Sequence, residues 1–515
     1  MADGFWALAQ RDPARVALVL PDGEEVSAGE LLAASNRVVH GLRARGLAPG
    51  AAIAVASGNR RELVELHLAV SQAGFYLVPV NVRLAAREIA HVLHDSGASA
   101  FVFDGATAAA ARAAVESTAY PAEACFALDP SPPFAGLDAL TRGQPAEAPA
   151  DRTLGGTMFY TSGTTGLPKA VRRPLKAAPP DKTSAALARM RLSGASAKAS
   201  EDAVHLVVAP LYHSAALAWC SAHLHLGHLV VLMDEWSPQG MLERVARYRV
   251  TGVLMVPTHF VRLLALPEDA RSAYDVSSLR HVVHGGAPCP VSVKRRMMEW
   301  WGPVLHEVYG AAEAAGGTYV GPKEWLERPG TVGKARGQVR ILREDGAACE
   351  PNEVGVVYFD SHGQHFEYLN DPTKTEASRR VELFTVGDLG YLDEDGYLFL
   401  SDRQSDVVIS GGVNVYPAEV EAVLMGHPKV RDAAVFGVPD DEWGERLKAV
   451  VEAARADEAG DELARELTAY CREHLAGFKC PRSIDFVASL PRAPNGKLYK
   501  RQLRDPHWAG RERKI

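Results

Sequence analysis

At 515 residues the chain is too long for one ordinary hydrophobic core, so a large multi-lobed unit and at least one further domain are expected. Apolar residues make up 47% and charged residues 23%, far from a disordered composition, and a net charge of -7 without a basic stripe speaks against nucleic acid as a partner. Six scattered cysteines (Cys125, Cys220, Cys289, Cys349, Cys471, Cys480) have neither Cys-x-x-Cys nor zinc spacing and read as reduced, mostly buried thiols, for which a cytoplasmic location is the simplest expectation.

In chain order, residues 1–10 carry Asp3 and are followed by Arg11, Asp12 and Arg15, which is not the apolar core of a signal peptide. Strands are predicted at 52–56, 76–80, 100–103, 205–209, 229–233, 252–256 and 281–284. Alanine-rich helical stretches such as 106–115 separate them, the pattern of buried parallel strands with crossover helices. Residues 177–200 are polar enough to predict a mobile loop. Residues 203–233 lack Asp, Glu, Lys and Arg, but Pro210 and five histidines argue for a buried strand, helix and strand rather than a membrane segment. His223, His225 and His228 have no carboxylate or cysteine at ligand spacing and read as structural rather than metal-binding.

Past Gly337 the runs shorten and alternate, at 338–342 and 354–359 around Glu344-Asp345-Gly346, predicting a small antiparallel β lobe near 335–400. A fresh strand–helix pattern begins at Val407. The expected organisation is α/β: a large N-terminal domain, 1–401, of α/β lobes plus the small β lobe, a hinge at 402–406 centred on Ser405, and a small mobile α+β C-terminal domain, 407–515.

The strongest chemical signal is Tyr160-Thr161-Ser162-Gly163-Thr164-Thr165-Gly166-Leu167-Pro168-Lys169, placed directly after an apolar strand. Hydroxyls, glycines and a terminal lysine supply backbone donors, side-chain donors and a cation for a polyphosphate. Pro168 stands where a Walker loop needs glycine, so this is a different phosphate loop. It resembles the signature loop of the superfamily that contains acyl-CoA synthetases, firefly luciferases and peptide-synthetase adenylation domains. The resemblance continues in order through Pro210-Leu211-Tyr212-His213, Gly285-Gly286-Ala287-Pro288, Tyr309-Gly310-Ala311-Ala312-Glu313, Gly387-Asp388, Asp402-Arg403, Gly411-Gly412 and Pro494-Asn495-Gly496-Lys497.

This resemblance implies an acid–thiol ligase that joins a carboxylic acid to AMP with loss of pyrophosphate and then passes the acyl group to coenzyme A. It implies Lys169, Glu313 and Lys497 as catalytic residues, and Mg²⁺ held by Thr161 and Glu313. ATP or acyl-AMP would be held by Thr161, Ser162, Gly163, Thr164, Thr165, Gly166, Lys169, Lys497 and Gly286-Ala287-Pro288. Tyr309 would stack on adenine beside Gly310-Ala311-Ala312, with Asp388 and Arg403 at the ribose. Gly411 and Gly412 would line the coenzyme A tunnel once the C-terminal domain swings. The acyl pocket would involve Gly285, Gly310, Gly316 and His213, which reads equally as a core histidine.

The small residues Gly310–Ala312 and Ala314–Gly317 predict a roomy pocket for a bulky, largely apolar acid, unless they are only a glycine-rich loop. Two alternatives to a stand-alone acyl-CoA ligase stay open, an enzyme loading a carrier protein in trans and a non-catalytic acyl or nucleotide binder. Three departures from the family pattern, Ala312, Ala170 and Val386, suggest a weakened adenylation step, with acyl-adenylate supplied by a partner ligase.

Overall fold

The computed structural model describes residues 4–161, 168–193, 202–311, 313, 316–335, 339–360, 365–410, 413–440, 442–493 and 496–509. Two compact units result: Met1–Leu254 with Asp269–Val282 and Gly363–Ala377, and Met255–Glu268 with Val283–His362 and Ser378–Ile515.

The first unit is built on parallel sheets. Ala52–Ala56 lies between Tyr76–Pro79 and Ala98–Phe103, and Cys125–Ala127, Ala135–Gly136 and Gly156–Thr157 extend this sheet, every pair parallel. All five residues of Ala52–Ala56 are buried, as a strand covered on both faces requires. In a second sheet Val204–Val207 lies between Leu229–Leu232 and Gly252–Met255, and Val16–Val19 runs parallel beside Leu229–Leu232. The stretch without charges is therefore strand, helix (Ser214–His225) and strand, as predicted. Among the described residues no helix is long and apolar enough to cross a membrane.

One expectation fails. Part of the loop predicted at 177–200 is a helix, Pro180–Ser193, whose neighbours 194–200 lie outside the described residues. Pro180 at its start, Asp181 in its first turn and a run of good helix formers favour it, and Ala185, Ala188 and Leu192 are buried. Its exposed positions mix Lys182, Arg189 and Arg191 with Leu187 and Met190.

The second unit contains the hairpin Leu305–Gly310 and Gly317–Val320, then the antiparallel β lobe of Gly333–Lys334, Tyr397–Arg403, Leu383–Leu392, Gly355–Asp360 and Val339–Leu342. Its terminal part is an α+β layer in which Val430–Asp440 pairs antiparallel with Gly444–Ala453, with helices Pro417–Leu424 and Asp461–His474. Val408, Val420, Leu424, Val435, Leu447, Leu463 and Leu467 make its core. The segment read from the sequence as a hinge, 402–406, holds a short turn of 3₁₀ helix, Gln404–Asp406, and lies inside the stretch Ser378–Ile515 of the second unit.

Candidate active site

In the first unit, Thr161 ends strand Phe159–Thr161 and pairs antiparallel with Lys169, which begins Lys169–Arg172. The candidates between them, Ser162, Gly163, Thr164, Thr165 and Gly166, lie outside the described residues. Both stems are tied to the helix Ala86–Asp95 and the segment around residue 370. The Tyr160 hydroxyl donates to Asp95 at 2.7 Å, Asn370 donates to the same carboxylate at 3.0 Å, and a His91 ring nitrogen lies 2.9 Å from the Pro168 carbonyl. Lys169 is ion-paired with Asp371, which holds the Asp371 carboxyl below its usual range. His213 is the N-cap residue of helix Ser214–His225, its ring against Tyr212, and burial lowers its pKa to about 4, so it is a neutral group at pH 7.

The second unit assembles the nucleotide-side candidates. Tyr309 lies near the end of strand Leu305–Gly310 and donates its hydroxyl to Asp388 at 2.8 Å. Asp388 and Arg403 are register partners on neighbouring antiparallel strands, with Arg403 Nε 3.4 Å from Asp388 Oδ1. Burial raises the Asp388 pKa; Arg403 and the Tyr309 hydroxyl oppose this, and the nearby charges of Glu313 and Asp406 reinforce it. Glu313, itself buried in a turn, thus faces the same carboxylate. As a hard oxygen donor, the Glu313 carboxylate matches the preference of Mg²⁺, which takes one or two carboxylates together with phosphate rather than an all-protein cage. Among the described residues no cluster of three or more His, Cys, Asp or Glu side chains could hold a metal.

Gly285 abuts the same strand: a Cβ there would meet the Val308 carbonyl oxygen at 2.5 Å. Gly286 follows at φ +79°, and Ala287-Pro288 lead into helix Val291–Trp301. Lys497 belongs to a tight loop in which Ala493 N–H donates to the Lys497 carbonyl at 2.8 Å. Arg492, paired with Asp432, donates to the Gly496 carbonyl at 2.7 Å. Gly496 has φ +77°, and a Cβ there would come 2.9 Å from Thr258 Oγ1 and 3.0 Å from Val256, so the loop is pressed against this turn and glycine is required. Burial, with Arg403 and Arg501, lowers the Lys497 pKa while Asp406 opposes this.

Ala312, Gly411 and Gly412 lie outside the described residues, as do Pro494 and Asn495. Ala311, half-buried, follows Gly310. The glycines offered as pocket space have packing reasons. At Gly316 a Cβ would meet Phe359 Cδ1 at 2.7 Å, at Gly317 the Tyr309 carbonyl oxygen at 2.6 Å, and at Gly310 the Gly316 carbonyl oxygen at 3.3 Å. Their smallness is therefore not by itself a measure of the acyl pocket.

Sequence reasoning missed a cleft of about 420 Å³ lined by Ser410, Trp443, Arg472, Phe478 and Arg482. Trp443 and Phe478 are 44% and 48% exposed, and the Arg482 guanidinium lies 6.0 Å from the Trp443 ring centre. Two half-exposed aromatics among arginines were a visible signal only once the fold joined Trp443 to Phe478-Lys479-Cys480-Pro481-Arg482.

Comparison with known proteins identifies the family. The family profile for AMP-binding enzymes matches residues 5–369, and that for the AMP-binding enzyme C-terminal domain matches 419–497. A feruloyl-CoA synthase from Amycolatopsis sp is 36% identical over 94% of each chain. A fatty acid–[acyl-carrier-protein] ligase from Streptomyces coeruleorubidus is 32% identical over 98% of this chain and 96% of its own. The o-succinylbenzoate CoA synthetase from Bacillus subtilis, solved in complex with its acyl-adenylate intermediate, superposes with a TM-score of 0.78 at 30% identity over 99% of each chain. With both profiles matched in order and the likeness running over nearly the whole length, the chain belongs to the AMP-binding enzyme family and is an AMP-forming acid–thiol ligase of the acyl-CoA synthetase type.

Proposed function

We propose that the protein forms a coenzyme A thioester from a bulky, largely apolar carboxylic acid through an acyl-AMP intermediate. The observation that carries this reading is the grouping of Tyr309, Asp388, Arg403, Glu313 and the Lys497 loop in one unit. Tyr309, fixed by Asp388, stacks on adenine while Gly286-Ala287-Pro288 edge it, and Asp388 with Arg403 accepts and positions the ribose hydroxyls. Thr161 and Glu313 would hold Mg²⁺, which when bound supplies charge neutralisation at the phosphates. Lys169 leaves Asp371 for phosphate, and Lys497 bridges the acid oxygen and the α-phosphate. His213, neutral, serves as a wall of the acyl pocket.

The thioester step follows when residues 407–515 turn about the 402–406 segment, withdrawing Lys497 and presenting Gly411 and Gly412 to the pantetheine arm. The cleft beside Ser410, just before those glycines, suits the nucleotide end of coenzyme A, with a base stacked on Trp443 and Phe478 and phosphates on Arg472 and Arg482. Trp443→Ala is expected to raise KM for coenzyme A about five- to a hundredfold, the worth of one stacked base, without changing ATP–pyrophosphate exchange. An unchanged KM would remove this cleft from the coenzyme A site.

The choice of acid is supported by the named relatives, which act on feruloyl, fatty acyl and o-succinylbenzoyl groups. A panel of acids with ATP, Mg²⁺ and coenzyme A tests it, and acetate or propionate outperforming aromatic and medium-chain acids would refute it. The relative that serves an acyl-carrier protein supports a second reading, loading of a carrier in trans. Replacing coenzyme A with a holo-carrier in the same assay separates the two.

The weakened adenylation step now rests on one residue. Ala170 is fully buried and paired with Tyr160, and Val386 is a half-buried strand residue, so both have packing reasons. Only Ala312, where the family pattern has threonine, removes a phosphate donor, worth about a hundred- to a thousandfold in rate. Slow exchange in the natural protein, efficient thioester formation from a synthetic adenylate and recovery of exchange in Ala312→Thr are expected; brisk exchange in the natural protein would sink this reading. The comparisons lend no support to a partner ligase.

A further inference from the structure

The loop Gly285–Pro290, with two glycines and two prolines, has no regular structure of its own, yet in the proposed reading it must edge adenine to within a fraction of an ångström. It is bracketed by His284, the last residue of strand His281–His284, and Lys294, in the first turns of helix Val291–Trp301. Lys294 bonds to one carboxylate and His284 lies near it. Lys294 Nζ lies 2.7 Å from Glu307 Oε2, and His284 Nε2 lies 3.5 Å from the same oxygen. His284 and Lys294 are fully buried and Glu307 is 7% exposed. Trp325 roofs the ammonium at 4.5 Å, and Phe260 stands edge-on to the imidazole.

Glu307 also lies two residues before Tyr309 on the same strand, so the two side chains leave the same face. Gly285 closes on Val308 between them, since no Cβ would fit against its carbonyl. A single buried carboxylate therefore ties the helix that follows the loop, through Lys294, to the strand that carries the adenine-stacking tyrosine, with the His284 ring before the loop packed 3.5 Å from it. Burial pushes the Glu307 pKa up while Lys294 opposes it, and burial with Lys294 drives His284 well below its usual value, so the imidazole beside the Lys294–Glu307 ion pair is neutral.

A fully buried ion pair contributes little to stability, because desolvation roughly cancels attraction, and an apolar pair of similar volume often folds as well. What such a pair adds is fixed geometry. We propose that Glu307, with Lys294 and His284, is the positioning residue of the nucleotide wall, setting the loop Gly285–Pro290 against Tyr309. This rests on the nucleotide reading given above.

The test is the double variant Lys294→Met with Glu307→Leu, which removes both charges, with Glu307→Gln as the second variant should the first not fold and Lys294→Arg as the conservative control. Read-outs are direct titration with AMP, KM for ATP, acid and coenzyme A, and thermal melting. Expected are a melting temperature near that of the natural protein, AMP affinity about tenfold weaker, the low end of what loss of an orienting partner costs, and a matching rise in KM for ATP. KM for acid and coenzyme A stay unchanged, and Lys294→Arg keeps near-natural AMP affinity. Undiminished AMP affinity in the charge-removing variant, or equal losses for all three substrates, would overturn the positioning role. Failure of the natural protein to bind AMP would instead overturn the nucleotide reading itself.

Discussion

Lys497→Ala is expected to lower acid-dependent ATP–pyrophosphate exchange by on the order of a thousandfold, while conversion of a supplied acyl-adenylate and coenzyme A to thioester continues near the natural rate. The loop that carries Lys497 is built for one placement: Arg492 is locked by Asp432, its guanidinium holds the Gly496 carbonyl, and Gly496 is pressed on Val256 and Thr258. Burial and Arg403 disfavour the charge of this lysine while Asp406 favours it, and in the proposed reading adenylation brings to it the α-phosphate with the attacking carboxylate. Once the adenylate exists, that task is finished. Removing the side chain should then cost only the first half-reaction. Equal losses in both half-reactions would contradict the proposed exchange of Lys497 for the Gly411-Gly412 loop, and a normal exchange rate would remove Lys497 from the chemistry. Circular dichroism of the variant should match the natural protein, since Arg492 and Gly496 anchor the loop independently of this side chain.

How much of this could be read from the chain depended on whether the signal was local. Strands such as 52–56 and 281–284 were legible because a strand buried on both faces is a short, continuous apolar run, and those two match to the residue. The helix Pro180–Ser193 was not, because its apolar residues do not gather on one face: Leu187 and Met190 are exposed while Ala185, Ala188 and Leu192 are buried. The separate motifs of the site were legible from their order, but not the Tyr309–Asp388 bond, which joins residues 79 apart. Glycine misled at Gly316. A run of small residues beside a motif looks like space, whereas Phe359 fills that position from a strand more than forty residues away. Glu307 carried no signal at all, since a single acid in a strand acquires meaning only when Lys294 and His284 are brought to it.

Acidification from pH 7.5 to 5 is expected to lower the thermal stability of the first unit steeply. Within it His205, His223, His225, His228 and His67 are all buried. The rings of His205 and His223 stack with centres 4.1 Å apart, and Nδ1 of His223 lies 2.8 Å from Nδ1 of His228. Other partners are neutral or alike in charge. His67 meets the Ser221 hydroxyl, His225 Nδ1 accepts from the Phe5 backbone N–H, and the nearest charges are Arg191 at His67, Arg15 at His228 and His281 at His223. Burial is the largest cause throughout, lowering the pKa to about 4 for His67 and His228, to about 3 for His205 and His225, and well below the ordinary 6.5 for His223. A histidine with a depressed folded pKa stabilises the fold fully above its unfolded pKa and loses that contribution as pH falls toward the folded value. At pH 5 the unfolded chain binds protons that the folded cluster excludes, at a cost of about 2 kcal/mol each for His67, His205, His225 and His228, so the sum is several kcal/mol out of the roughly 5–15 that a domain possesses. Between pH 7.5 and 5 histidine is the main side chain that titrates, which makes the window diagnostic. Melting temperature against pH, read for the natural protein and for His205→Phe with His223→Leu, is the measurement. The natural protein should lose ten degrees or more on the order of, and the double variant, with two of the buried titrating groups gone, should show a shallower fall. Parallel curves would mean that these histidines do not couple protonation to unfolding, and the acid sensitivity would have to come from elsewhere in the fold.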